Sequence, residues 1–391
     1  MAKYKYLILG GGMTGAAAAD GIRQLDSDGS IGLISAETTP PYNRPPLSKG
    51  LWKGKPEDEI FRQIEDNSVE LHLGRTVVRL DPDGHLLADA EGGTYQFEKL
   101  LLATGGTPRQ LPFGDEGIIY FRTLEDYHRL RRLTDEKERF AVVGGGFIGS
   151  ELAAALAMHD RQVTMLFPED GIGANRFPPN LATHLNEYYR QHGVEVMPGE
   201  SIVGIEALGD GYRLTTESNN QVTVEAIVAG LGIQPASLLA ETAGLEVNDG
   251  IIVSSSLQTS HPDIYAAGDV ARFHNQALDM RMRVEHEDNA NTMGELAGRS
   301  MAGEQVTYEH QPFFYSDLFD HGYEAVGILG ANLDIVEDWQ EKNEKGVVYY
   351  LKNGRPYGVL LWNVWDKVDE ARQLLASGTT VETDELKGRI A

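Results

Sequence analysis

Two apolar strands that each run into a glycine-rich turn and a helix-forming segment, and an aromatic tail carrying an Asn-Gly hairpin signal, predict an α/β fold. That fold comprises two Rossmann-like domains plus a C-terminal α+β domain. The length agrees: 391 residues exceed what one hydrophobic core usually organises, so two or three domains are expected.

The first copy is the strand Tyr6–Leu9, the turn Gly10-Gly-Gly-Met-Thr-Gly15 and the alanine-rich run Ala16–Ala19. A second strand is expected over Ile31–Ser35, then a Pro-rich loop over Thr38–Lys55. Short strands follow at Leu71–Leu73 and Thr76–Leu80. The strand Leu100–Ala103 ends in Thr104-Gly-Gly-Thr-Pro108, punctuation that marks a crossing between domains. The second copy is Phe140–Val143, Gly144-Gly-Gly-Phe-Ile-Gly149 and a helix over Ser150–Met158, with its second strand at Val163–Phe167. Ala226–Val228 leads into Gly230, Gly232 and Pro235, a return crossing, and Ile251–Asp269 reads as more of the first domain. From about Gln311 the chain becomes aromatic. Asn353-Gly354 separates two apolar runs between Val347 and Leu361, and a helix over Val368–Ala376 stops near Gly378. The expected division is residues 1–112 with 240–308, an inserted domain 113–239, and a C-terminal domain 309–391.

Composition narrows the function. The formal charge of −25 repels phosphate backbones and anionic lipid, so neither nucleic acid nor membrane is an expected partner. Local basic spots exist at Arg129, Arg131 and Arg132, and at Arg281 and Arg283. There is no cysteine, which removes disulfides, thiolate nucleophiles and cysteine metal sites. The opening apolar run is too short for a signal-peptide core, and nothing approaches the ~20 apolar residues of a membrane span. A cytoplasmic protein is the default expectation.

The two turns carry the chemistry. In Gly10-x-Gly12-x-x-Gly15 and Gly144-x-Gly146-x-x-Gly149 the first glycine permits the tight turn and the second lets a pyrophosphate reach the backbone. The third lets helix and strand pack closely, and the phosphates meet the positive end of the helix. All residues from Gly10 through Gly11, Gly12, Met13 and Thr14 to Gly15 are candidate contacts. So are Gly144, Gly145, Gly146, Phe147, Ile148 and Gly149. Glu37 follows the second strand of the first copy and Glu169 that of the second. Each can accept hydrogen bonds from a ribose. Glu169 also repels a 2′-phosphate, which favours NADH over NADPH, although Arg176 lies near it in sequence. Two fingerprints imply two dinucleotides, most economically a held flavin and an exchangeable nicotinamide. No metal is needed.

Several further stretches make the sequence resemble the FAD-dependent pyridine nucleotide oxidoreductases of the ferredoxin, rubredoxin and putidaredoxin reductase type, within their apoptosis-inducing-factor branch. They are Pro41–Trp52, Ala103–Arg109, Gly144–Leu152, Ala266–Asp269, Arg283–His286 and Gly358–Asn363. The resemblance covers nearly the whole chain and implies a glutathione-reductase-like arrangement with FAD and NADH as cofactors. It implies that Arg44 and Lys49 contact FAD, with Lys49 at the flavin N5 edge and Glu151 orienting it. Phe147 stacks beside the nicotinamide, and Asp269 binds the ribityl chain. Val77 and Arg122 touch the adenine side, while Glu285, His286 and Glu287 face the flavin and nicotinamide. Gly232 and Glu324 contact NAD. Lys49, Glu151, Phe147 and His286 are thereby the candidate catalytic group.

The chain departs from the family pattern in three places. Tyr315 stands where the family usually has Trp, keeping aromatic cover of the flavin. Only Asn332–Asn343 lies where the apoptosis-inducing-factor branch carries a long regulatory insertion. The acidity rules out the DNA binding proposed for that branch. The expected activity is NADH oxidation through FAD to an acceptor such as a ferredoxin or another small electron-transfer protein. The alternative is an NADH-responsive flavoprotein that forms a charge-transfer complex and changes dimerisation, so a homodimer is a further expectation.

Overall fold

The computed structural model describes residues 1–64, 67–113 and 117–390. The chain divides into two compact units. One comprises Met1–Arg44, Pro56–Thr107 and Gln234–Phe313; the other comprises Pro45–Lys55, Pro108–Ile233 and Phe314–Ala391. The Pro-rich segment 45–55, placed with the first domain by sequence, clusters with the second unit, where its two short 3-10 turns Pro45–Ser48 and Gly50–Lys53 are anchored.

In the first unit, strand Ala2–Leu9 lies between Ile31–Ile34 and Thr94–Leu102, and all three run parallel. Val69–His72 extends the sheet beyond Ile31–Ile34, and Ile264–Ala266 pairs with Thr94–Leu102, again in parallel. Leu86–Asp89 and Val77–Asp81 add antiparallel strands to the same sheet. Tyr6, Leu7, Ile8 and Leu9 are all buried, as a parallel strand covered on both faces requires. One face is covered by helix Met13–Arg23, which packs closely on helix Glu287–Met301. A Cβ built on Gly21 falls 2.1 Å from the Glu295 carbonyl oxygen, and one on Gly298 falls 2.1 Å from that of Ala18. The absence of side chains at these positions sets how closely the two helices approach.

The second unit holds a five-stranded parallel sheet in the order Val194–Pro198, Gln162–Phe167, Arg139–Val143, Ala226–Ala229, Ile118–Tyr120. An antiparallel three-stranded sheet, Ile202–Leu208, Gly211–Thr216 and Gln221–Val224, accompanies it. The C-terminal part is a five-stranded antiparallel sheet in the order Phe313–Leu318, His321–Gly327, Arg355–Trp362, Lys345–Lys352, Asp334–Glu341, with helix Val368–Ala376 packed on two of its strands. Asn353 and Gly354 both take positive φ, 54° and 72°, the backbone that a two-residue hairpin turn needs. The segment Asn332–Asn343 contributes an ordinary edge strand, Asp334–Glu341. No described helix is long and apolar enough to cross a membrane.

Candidate dinucleotide sites

The two glycine turns have the same construction. Gly10 and Gly144 adopt φ of +130° and +113°, where an L side chain is strained, and each follows a strand of its unit's parallel sheet that is paired on both sides. A Cβ on Gly10 falls 2.1 Å from the Ala103 carbonyl oxygen, and one on Gly144 falls 2.5 Å from that of Gly230. Gly11 and Gly145 press on the side chains of Ser35 and Phe167, at the end of the neighbouring strand. Gly15 and Gly149 leave no room for a methyl group, because a Cβ meets the Gly10 or Gly144 carbonyl oxygen at 2.1 or 1.9 Å.

Gly12 and Gly146 differ from all of these. A Cβ on either has nothing within 4 Å among the described residues. Each is the N-cap of its helix, Met13–Arg23 or Phe147–Met158, and neither helix start receives a side-chain cap. The starts of two helices are therefore without a side-chain cap, at the one glycine per turn whose Cβ position is open among the described residues. This is the arrangement a pyrophosphate needs, so the residues present fit two dinucleotides.

Around the first turn, Glu37 is held on both carboxylate oxygens. The Tyr42 hydroxyl donates to Oε2 at 2.6 Å and Arg44 donates to Oε1 at 2.5 Å. The turn Gly74–Arg75 hydrogen-bonds back to Glu37 and Ser35, and Val77 begins the strand leaving that spot. Asp269 is 254 residues from Gly15 in sequence but belongs here. Its neighbour Gly268 (φ +75°) would place a Cβ 2.3 Å from Thr14 Oγ1, and Asp269 is close enough to act electrostatically on the Arg44 guanidinium. Arg283 donates to the Asp269 carbonyl oxygen and the Glu285 carboxylate, both at 2.8 Å, tying the two stretches together. His286 is the N-cap of helix Glu287–Met301, so Glu287 opens the helix where an acid suits the positive end.

Around the second turn, Lys49 Nζ lies 2.7 Å from Glu151 Oε1. Both side chains are largely buried, 13% and 2% exposed, which calls for further compensation of the carboxylate. It comes from Ser48 Oγ and Ser316 Oγ, which donate to Oε2 and Oε1 at 2.6 Å each. Neither serine is evident in the sequence as a site residue; Ser316 lies 165 positions from Glu151. Tyr315 stands beside the pair, its ring centroid 5.3 Å from Lys49 Nζ. Trp52 anchors the segment bearing Lys49: its indole N–H donates to the Leu47 carbonyl, and its ring meets Tyr127, His159 and the Arg131 guanidinium.

Phe147 opens its helix in an aromatic cluster with Phe314 and Tyr323, at 5.5 and 6.4 Å between centroids. The Arg176 guanidinium lies over the Phe147 ring at 4.2 Å, and the Glu169 carboxylate instead receives the Asn175 amide at 2.8 Å. Gly232 (φ +77°) is open on its Cβ side and receives the Arg109 N–H on its carbonyl. Arg122 belongs to the second unit, where its N–H leads into the capping box of helix Leu124–Glu136. Glu324 follows Tyr323 on one strand, so alternation turns its side chain to the face opposite Phe147. Burial and the neighbouring Asp366 raise the Glu324 carboxyl above its ordinary range, and its Oε2 is buried without a hydrogen-bond partner among the described residues.

The comparisons with known proteins agree with this construction. The pyridine nucleotide-disulphide oxidoreductase profile matches residues 4–294, and that of the C-terminal domain of mitochondrion-associated apoptosis-inducing factor matches 297–345 and 334–377. Mitochondrial apoptosis-inducing factor 1 of Dictyostelium discoideum is 35% identical, over 97% of this chain and 80% of that protein. The ferredoxin reductase subunit of 5,5'-dehydrodivanillate O-demethylase from Sphingobium sp. is also 35% identical, over 99% and 96%. The crystal structure of a covalent putidaredoxin reductase–putidaredoxin complex superposes with a TM-score of 0.91 at 30% identity, covering 99% of this chain and 96% of that one. The absence of cysteine removes the dithiol chemistry in the family's title, leaving the flavin and nicotinamide route. The chain belongs to the pyridine nucleotide-disulphide oxidoreductase family, as an FAD-dependent oxidoreductase that uses NAD(H).

Proposed function

We propose that this chain oxidises NADH and delivers the electrons through FAD to a small iron–sulfur protein of the ferredoxin type. The observation that carries the reading is the pair of like-built glycine turns, one per unit, each with an open helix N-terminus. The whole-length likeness to a ferredoxin reductase subunit and to putidaredoxin reductase supports the choice of acceptor.

The turn Gly10–Gly15 holds the FAD pyrophosphate, Glu37 accepts from its ribose, and Arg44 and Asp269 serve its central portion. Val77 and Arg122 are assigned to its adenine side. The turn Gly144–Gly149 holds the NADH pyrophosphate, with Glu169 on the adenosine ribose and Gly232 as a close backbone contact. Arg176 lies over the Phe147 ring, and the Glu169 carboxylate, held by the Asn175 amide, disfavours a 2′-phosphate. When bound, FAD accepts two electrons from NADH and can release them one at a time. Lys49, fixed by Glu151, Ser48 and Ser316, supplies a preorganised positive charge for the reduced cofactor. Phe147 gates nicotinamide access, and Glu285, His286, Glu287 and Tyr315 complete the surroundings of the ring systems. Glu324 acts through its strand's backbone, since its side chain faces the other way.

The test is steady-state cytochrome c reduction by NADH with and without added ferredoxin. Strong ferredoxin dependence is the expected outcome; an equal rate without ferredoxin overturns the choice of acceptor. The second reading, an NADH-responsive flavoprotein that changes dimerisation, draws on the likeness to apoptosis-inducing factor. The short edge strand at Asp334–Glu341 leaves little chain for a releasable loop. A long-lived charge-transfer band accompanied by a shift to dimer on gel filtration would favour this reading. The cytoplasm is the proposed compartment.

A further inference from the structure

The aromatic row that begins at Phe147 runs through Tyr323 and Trp362 and ends at His321, 5.7 Å from Trp362 between centroids. There three residues from separate elements meet: His184 on helix Pro179–Gln191, His321 at the head of strand His321–Gly327, and Glu344 in the turn before strand Lys345–Lys352. The dinucleotide chemistry uses none of them.

We infer that His184, His321 and Glu344 form a zinc site that braces this helix against the C-terminal sheet. His184 Nε2 and His321 Nε2 are buried and meet no hydrogen-bond partner among the described residues. His321 is only 9% exposed. Glu344 Oε1 lies 3.5 Å from His184 Nε2, and Glu344 Oε2 lies 3.5 Å from His321 Nε2. That separation is long for a hydrogen bond but close to the ~3.3 Å between two ligands sharing a tetrahedral zinc at about 2.0–2.1 Å. All three ligand atoms lie within 4.8 Å of one another.

Two imidazoles and one carboxylate suit zinc, with water in the fourth position. The oxygen-only sets preferred by magnesium and calcium are not present. His321 Nδ1 limits the affinity. The Asn363 amide is pinned by the Gly322 N–H on its oxygen and donates to the Glu344 carbonyl, so its nitrogen also faces Nδ1, at 2.8 Å. The neutral ring therefore carries its proton on Nε2 when no metal is bound. Zinc on Nε2 moves that proton to Nδ1 and gives up the Asn363 contact. One hydrogen bond is exchanged for coordination to three ligands. The site is accordingly weaker than one in which an acceptor already waits at Nδ1.

The test is calorimetric titration of the EDTA-treated, flavin-loaded protein with zinc chloride, alongside Glu344→Gln and His184→Gln. Both substitutions alter partly exposed side chains, and retained flavin absorbance reports that the fold is intact. The expected result is one saturable zinc per chain in the unaltered protein, weakened at least ~10-fold in each variant. Zinc should also raise the unfolding temperature of the unaltered protein and not that of the variants. No saturable zinc, or equal binding by all three proteins, overturns the site.

Discussion

At the residue scale the proposed chemistry rests on one buried pair, Lys49 and Glu151. Glu151 is buried in a site where it meets Lys49 and two serine hydroxyls. Lys49→Ala should slow reduction of the bound flavin by NADH on the order of 100-fold, read by anaerobic stopped-flow absorbance. The same change leaves a buried carboxylate short of its cation and lowers stability. Adding Glu151→Gln should restore much of the stability and none of the rate, which separates the two roles. At the second ribose, Glu169→Ala should narrow the ratio of NADH to NADPH kcat/KM by about tenfold, because a repulsive group is lost. Glu37 and Glu169 became candidates because each stands shortly after a strand in the sequence. Ser48 and Ser316 were not: a serine carries no signal until the fold brings it to a carboxylate.

At the scale of elements, the turns were the most legible part of the molecule. Their glycine spacing is local, and the structure gives every glycine of the turns except Gly12 and Gly146 its own packing reason. Gly149→Ala places a methyl group 1.9 Å from the Gly144 carbonyl oxygen, so helix and strand must part. Its expected cost is about 1–3 kcal/mol in urea unfolding, with a large rise in the KM for NADH and retention of FAD. Gly146→Ala, built into open space, should leave stability unchanged within about 0.5 kcal/mol and still raise that KM. The hairpin at Asn353-Gly354 and the helix Val368–Ala376 were legible for the same local reasons. The placement of Gly268, the neighbour of Asp269, beside Thr14 was not legible from pattern, since it depends on a strand that returns to the sheet after more than 160 intervening residues. The side of the strand to which Glu324 points was also hidden, because alternation has meaning only once Tyr323 is fixed in the aromatic cluster.

At the scale of the whole molecule, the acidity acts on stability. Asp26, Asp89 and Asp263 are held below the ordinary carboxyl value of 3.8, chiefly by hydrogen bonds from Lys5, Tyr95 and Lys99 respectively. A carboxyl depressed in the folded state contributes stability that is present above its unfolded value and lost as pH falls through its folded one. The unfolding temperature should therefore be flat with respect to these groups above about pH 5 and fall steadily below about pH 4. Scanning calorimetry across that range checks it, and a maximum below pH 4 would show that relief of the −25 charge outweighs the lost pairs. The division of the chain was only partly legible. Proline and glycine marked crossings near Thr107 and Ile233, whereas the move of residues 45–55 into the second unit rests on the burial of Trp52 and Leu51, which no local pattern announces.

The central claim is that NADH reduces a flavin held by this chain. The most direct measurement is an anaerobic titration of the purified protein with NADH while the visible flavin bands are recorded. One equivalent of NADH per bound FAD should bleach them within the first seconds, and NADPH should do so far more slowly. Flavin bands that persist in excess NADH would contradict the account.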